Sequence, residues 1–363
     1  TEYGDKITQG NTMKFELPKT MKGVEMLGHG GAEMLGYRED IAVPEIEPNE
    51  VLIKVMSAGV NNTDINTRIG WYSKSDDSDD ASWSGEALQF PRIQGADVCG
   101  FIVAVGNEVS ADRIGERVLI EPCLTEVYGR DLPQPWYFGS ECDGGFAEYT
   151  KVAAKHAYAV NSTMSDVELA SFPCSYSTAE NMLTRANVIE GDRVLISGAS
   201  GGVGSAAIQL AKARGAYVIA ITSPSKNQQL LELGADEVVA RDADLVKALG
   251  ANSVNVVIDL VAGDKWPQFL EVLKPHGRYA VSGAIGGAMV ELDVRTLYLK
   301  DLSFFGCTVL EPEVFQNLVN RIEQQQISAI VAESYSLADI HTAQEEFLKK
   351  KHVGKIVLEV AQR

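Results

Sequence analysis

The stretch RVLISGASGGVG (193–204) constrains this chain more than any other. An apolar run of strand length passes through a glycine-rich turn into GVGSAAIQLAKARG (202–215), which has the apolar spacing of a buried helix. A glycine pattern set between a strand and a helix is specific in a way that a lone one is not, and it predicts a cradle for a dinucleotide pyrophosphate. Gly198 and Gly201 are expected to allow the tight turn and the approach of phosphate to backbone N–H groups. Gly204 is expected to let helix and strand pack closely. Ser200, Gly202 and Val203 complete the expected cradle at the positive end of the helix. Downstream, YVIAIT (217–222), SKNQQLLELG (225–234), EVV (237–239), VNVVIDLV (254–261), KWPQFLEVL (265–273), RYAVSG (278–283) and LSFFGC (302–307) continue the alternation. Continuously apolar strands between helices predict a parallel sheet covered on both faces. Val261, Ser282 and Gly283 then end strands at the crevice where such sheets bind ligands.

The second strand of the series decides between the two nicotinamide cofactors. A carboxylate at its end would hydrogen-bond the ribose of NAD. Here it ends in Thr222-Ser223-Pro224-Ser225-Lys226, with no acid in reach. Ser223 and the ammonium of Lys226 suit a 2′-phosphate, so NADPH is the expected cofactor. Ser225 could alternatively cap the following helix.

The first half has another character. VLIKVMS (51–57), FIVAV (101–105), RVLIEP (117–122) and FAEYTKV (146–152) partly alternate apolar and polar residues, as an antiparallel sheet with one covered face does. The acidic stretch SKSDDSDDASWSG (73–85) interrupts them and reads as a surface loop or a lid. Ser165-Asp166-Val167-Glu168 is a capping box, and Pro173 is expected to end or kink the helix it opens. A helix (LADIHTAQEEFLKK, 337–350) and a strand (GKIVLEV, 354–360) close the chain. The expected organisation is a polar extension over 1–20, a mainly antiparallel β domain from 21–173 plus 311–363, and a nested α/β cofactor domain over 174–310.

Composition narrows the function classes. A formal charge of −18 repels phosphate backbones and argues against nucleic acid as a partner. No apolar run has the length of a membrane span. The five cysteines, Cys99, Cys123, Cys142, Cys174 and Cys307, are odd in number and scattered, which fits a reducing, cytoplasmic setting.

Several segments resemble the medium-chain dehydrogenases/reductases, in order: MKGVEMLGHGGAEML (21–35), AGVNNTDINTRIGWY (58–72), GADVCGFIVAVG (95–106), DGGFAEY (143–149), GASGGVG (198–204) and GKIVL (354–358). The likeness is to the zinc-independent quinone oxidoreductase and enoyl reductase branch. It implies a GroES-like substrate domain and a Rossmann cofactor domain with the active site in the cleft between them, and often pairing into homodimers. Zinc-dependent members carry His-Glu where this chain has Ala96-Asp97, and cysteine where it has Asn61. Cys174 matches a third ligand, and one thiolate cannot hold a catalytic zinc. Asp97 and Cys99 share a strand face with no histidine to help. The structural zinc lobe needs four close cysteines, and only Cys123 and Cys142 occur in that region. QGADVCG (94–100) therefore reads as a metal site that has lost its ligands, and no metal is expected.

Without a Lewis acid, reduction of a conjugated system is the expected chemistry, with hydride added to a quinone or α,β-unsaturated carbonyl. The resemblance makes Tyr72 the donor to the developing enolate, Asn61 a hydrogen-bond donor and Asp64 an orienting or proton-relay group. Arg68 pairs with Asp64 if this stretch is helical. By the same resemblance Thr178 packs against nicotinamide and Lys355 lies near the pyrophosphate. Two other readings stand beside this one: enoyl-thioester reduction, and an NADPH-binding structural or regulatory protein without turnover.

Overall fold

The computed structural model describes residues 16–73, 83–84 and 87–362. Residues 1–15, and all of the acidic stretch except Ser73, Trp83 and Ser84, lie outside them. The chain divides into two compact units, one of residues 1–174, 329–351 and 355–363, the other of 175–328 and 352–354. Residues 311–328, expected with the first domain, thus belong to the second, carrying the helix Val314–Glu323 with them.

The first unit is built on a seven-stranded sheet. Its order is Val331–Ser336, Lys355–Glu359, Glu50–Gly59, Asp97–Val105, Arg117–Ile120 and Ala157–Ala159, with Tyr149–Ala153 also pairing with Glu50–Gly59. All pairs are antiparallel except the one between Val331–Ser336 and Lys355–Glu359. Glu50–Gly59 and Asp97–Val105 are buried along nearly their whole length, so one covered face does not describe them. Val51, Leu52, Ile53 and Ile102 have no exposed surface, and each such side chain contributes about 1.5–3 kcal/mol by leaving water. Strand register sets two facing positions that matter for the site: Gly59 lies opposite Asp97, and Val357 opposite Gly59.

The second unit carries six parallel strands in the order Glu237–Ala240, Tyr217–Thr222, Arg193–Ile196, Val254–Asp259, Leu273–Val281, Ser303–Gly306. Counted along the chain this is 3-2-1-4-5-6, the Rossmann order, with the chain reversing direction across the sheet after the third strand. Val194, Leu195, Ile196, Val256, Val257 and Ile258 are fully buried, as strands covered on both faces require.

The capping box at Ser165 forms as expected, with Ser165 Oγ accepting from Glu168 N at 3.1 Å and Ser165 N donating to Glu168 Oε1 at 3.1 Å. Pro173 plays the opposite part from the one expected. It opens the helix Pro173–Arg185, because a first-turn residue has no intrahelical use for the N–H that proline lacks.

Candidate active site

In the second unit the strand Arg193–Ile196 runs through the glycine turn into the helix Gly202–Ala213. Gly198 has φ +57, in the left-handed region. A Cβ on Gly204 would lie 2.1 Å from Gly198 O and 2.6 Å from Ala199 Cα, so only glycine lets this helix sit so close. Gly201 differs from expectation. Its φ of −74 is open to any residue, and the turn is carried by Gly198 alone. No side chain caps the helix, and Ser205 Oγ turns back to Gly201 O at 2.7 Å. The first N–H groups, from Gly202, Val203 and Gly204, therefore remain for an anion. This cradle fits a dinucleotide pyrophosphate.

Beside it Lys226 Nζ reaches Ser200 Oγ at 3.4 Å. Ser223 precedes the turn Pro224–Lys226, and Lys226 itself occupies the N-cap of Asn227–Leu233, so Ser225 is not that helix's cap. Burial, and secondarily the charge of Arg241, lower the Lys226 pKa. Arg241 follows the adjacent strand and donates its backbone N–H to Thr222 O at 3.1 Å. It is not among the residues expected from sequence, although a signal exists: the first residue beyond strand three lies next to the end of strand two.

Val261 and Ser282-Gly283 follow the ends of Val254–Asp259 and Leu273–Val281. The buried Asp259 shapes this rim: its Oδ1 accepts from Ser197 Oγ (2.6 Å), Val261 N (2.9 Å) and Ala262 N (3.0 Å), and its Oδ2 from the Tyr279 hydroxyl. A Cβ on Gly283 would stand 2.7 Å from Leu260 O. On Pro173–Arg185, Thr178 is the one residue between Leu169 and Leu183 that is not buried.

The first unit gathers the expected substrate-side residues. Asn61 is the N-cap of Asn62–Ile69, and its backbone N–H donates to Asp64 Oδ2 at 2.8 Å in a capping box. Gly70, at φ +78, ends the helix. The turn after it brings Tyr72 back over the first helical turn, where its hydroxyl meets Thr63 Oγ1 at 3.0 Å. Burial raises the Tyr72 phenol, with smaller contributions from Cys174 and Asp64. Burial also lifts the Asp64 carboxyl to about 7, against the pull of the Asn61 N–H and of Lys355. Arg68 does not pair with Asp64, which faces the N-cap. Its Nη1 donates to Gly30 O (2.9 Å) and its Nη2 to Gln344 Oε1 (3.3 Å).

Asp97, wholly buried, lies at the centre of this cluster. Its Oδ2 accepts from Asn61 Nδ2 at 2.8 Å and pairs with Lys355 Nζ at 3.1 Å, while its Oδ1 accepts from Cys174 N at 2.5 Å. Lys355 also donates to Asn61 Oδ1. The Lys355 ammonium is thus buried in an ion pair of the first unit. The catalytic zinc of zinc-dependent dehydrogenases does not fit these residues. Ala96 has no donor atom, the Asp97 carboxylate holds an ammonium, and the Cys174 thiol, 2.9 Å from the Tyr137 hydroxyl, is left as a single soft ligand where a catalytic zinc needs three. Cys99 points elsewhere, toward Asp166 Oδ1 at 3.8 Å. A cavity of about 230 Å³ in this unit, lined among others by Met21, Ile41, Glu50 and Tyr128, includes none of the cluster.

Residues 47–162 match the alcohol dehydrogenase GroES-like domain family, and residues 202–324 the zinc-binding dehydrogenase family. The rat (Rattus norvegicus) quinone oxidoreductase is 30% identical over 354 residues, covering 94% of this chain and 98% of its own. An acryloyl-coenzyme A reductase of Metallosphaera sedula is 29% identical over 349 residues, covering 93% and 99%. A crystal structure from Sinorhizobium meliloti 1021, provisionally assigned as an alcohol dehydrogenase, superposes with a TM-score of 0.88 at 44% identity, covering 94% and 97%. Two GroES-like and Rossmann units with this cradle define a nicotinamide-dependent oxidoreductase. The chain belongs to the medium-chain dehydrogenase/reductase superfamily.

Proposed function

We propose that this oxidoreductase uses NADPH to reduce quinones or α,β-unsaturated carbonyl compounds without a metal ion. The observation that carries the reading is the buried Asn61–Asp97–Lys355 cluster, where a side-chain ammonium neutralises the carboxylate and Tyr72 stands in the turn that follows the helix capped by Asn61. NADPH, when bound, supplies a hydride to the carbon conjugated with the substrate carbonyl. Negative charge then develops on the substrate oxygen and needs a donor. Tyr72 fits that part: its raised phenol keeps its proton at neutral pH, and Thr63 fixes the hydroxyl. Asn61 orients the substrate side, and Asp64 is a second proton reservoir close to neutrality. Gly198, Ser200 and Gly201 to Gly204 would hold the pyrophosphate, and Thr178, Val261, Ser282 and Gly283 the nicotinamide end. Ser223, Lys226 and Arg241 would read the 2′-phosphate, two cations standing where an NAD enzyme keeps an acid.

The relative named acryloyl-coenzyme A reductase favours a second reading, enoyl-thioester reduction at the same site. Both are tested by following NADPH oxidation with an ortho-quinone and a trans-2-enoyl thioester in parallel, with NADH as control. Quinone turnover at least about tenfold better with NADPH is expected, and Lys226→Ala/Arg241→Ala should remove that preference. Equal use of NADH would contradict the cofactor assignment. Thioester turnover alone would move the chain to the second reading. Silence on both, with NADPH bound, would leave an NADPH-binding protein without turnover.

A further inference from the structure

We propose that Asp259 is a positioning residue for the cofactor: its carboxylate ties the turn at the nicotinamide rim to the start of the pyrophosphate cradle, and so fixes where the hydride-bearing ring stands. This rests on the proposed placement of the nicotinamide end at Val261, Ser282 and Gly283.

A carboxylate with no exposed surface must be met by donors, and Asp259 is met by four neutral ones. Oδ1 accepts from Val261 N and Ala262 N, two and three residues on, at 2.9 and 3.0 Å. The side chain thereby supplies the hydrogen bonds of a turn at the end of Val254–Asp259. That turn needs support. Ala262 has φ +53, in the left-handed region, and Gly263 follows at φ +78. A residue with a Cβ stays in the first of these conformations only where its surroundings hold it.

The same oxygen accepts from Ser197 Oγ at 2.6 Å, and Ser197 Oγ accepts from Leu260 N at 2.8 Å. Ser197 immediately precedes Gly198, where the cradle begins. One serine hydroxyl thus joins the two ends of the expected cofactor site. Oδ2 accepts from the Tyr279 hydroxyl, which accepts in turn from Trp266 Nε1 at 2.7 Å.

The turn is also packed against the neighbouring strand end. Gly286 N donates to Val261 O at 2.8 Å, and Gly263 N to Gly287 O at 3.0 Å. Cβ atoms on Gly283 and Gly286 would each stand 2.7 Å from the turn, at Leu260 O and Val261 Cγ1. A displaced turn therefore displaces both walls of the rim. The cradle keeps bonds of its own, Gly201 N to Gly198 O at 3.1 Å and Ala199 N to Ile221 O at 3.3 Å. Loss of the carboxylate moves the rim and spares the cradle.

The test uses the full chain carrying Asp259→Val, which buries no charge, and separately Ser197→Ala, which leaves the carboxylate three donors. The second variant keeps the test valid if the first fails to fold. Asp259→Asn, which retains an acceptor for Ser197, Val261 and Ala262, is the conservative rescue. Calorimetry with adenosine 2′,5′-bisphosphate reads the adenosine end, the emission of bound NADPH reads the nicotinamide surroundings, and kcat is taken with the ortho-quinone. The bisphosphate Kd should stay within about twofold of wild type in all three variants. For kcat we expect a loss of about 100-fold in Asp259→Val and about tenfold in Ser197→Ala, with Asp259→Asn near wild type. Bound-NADPH emission should move toward that of free NADPH in the first two variants only. Bisphosphate affinity falling about tenfold together with kcat would mean a merely structural role and overturn the proposal, as would unchanged kcat and emission. A wild-type protein inert toward every acceptor would instead refute the proposed reduction, while the emission would still decide the role of Asp259. Wild type that ignores the bisphosphate would refute the NADPH assignment, and ADP-ribose with NADH would then serve as the probes.

Discussion

Asp64 is the residue whose protonation most directly reports on the cluster. Its carboxyl, lifted to about 7 by burial, sits above its ordinary value of 3.8, so the folded chain holds this proton more tightly than the unfolded one. Stability therefore declines as pH rises from about 4 to 7, and the penalty is fully present above that. Asp64→Asn removes the penalty and keeps an acceptor for the Asn61 N–H. Its gain in melting temperature at pH 8 should exceed its gain at pH 5 by roughly 2–4 °C, the worth of ~1 kcal/mol in a chain of this class. Equal gains at both pH values would mean that the carboxyl titrates normally. At this scale the sequence is only partly legible. Tyr72, Asn61 and Asp64 can be picked out because they lie within twelve consecutive residues, 61–72, spanning one helix and its flanking turns. The partner of Asn61 cannot, because Lys355 stands 294 positions away and meets it only through strand register. The Arg68–Asp64 pair has suitable spacing, and it does not form because the capping box turns Asp64 toward the N-cap.

Elements are more legible where their signals are local. The glycine turn after RVLIS, the capping box at Ser165 and the alternation of strand and helix through the second unit all rest on neighbouring residues, and they stand where expected. Pro173 departs from expectation because a proline marks either the end of one helix or the first turn of the next, and only the following chain decides. Alternation in the first half is a weak guide, since its central strands are buried on both faces. The helix Val314–Glu323 joins the unit that its position near the end of the chain did not suggest. Val314, Phe315, Leu318, Val319 and Ile322 give it an apolar face, and a face alone does not say which core it joins.

For the whole molecule, no helix among the described residues is long and apolar enough to cross a membrane. The second unit carries an apolar surface of another kind. Ser303–Gly306 is the last strand of its sheet, and Ile285, Met289, Val294, Tyr298 and Leu299, in the stretch of chain that leads to it, are 68%, 91%, 59%, 60% and 71% exposed. An open strand edge and exposed apolar side chains are each templates for association. The homodimer that the family resemblance implies would pair through this edge. Sedimentation velocity should give twice the chain mass, and Leu299→Glu should shift it to the monomer; a wild-type monomer at micromolar concentration would contradict this.

The central claim is reduction without a metal, with the Asp97 carboxylate satisfied by Lys355. Its most direct test is quinone reduction by NADPH after exhaustive dialysis against a zinc chelator, with the metal content of the same sample measured. The account predicts an unchanged rate at less than about 0.1 zinc per chain, given a ligand set that cannot hold the ion. A rate lost on chelation and restored by added zinc would contradict it.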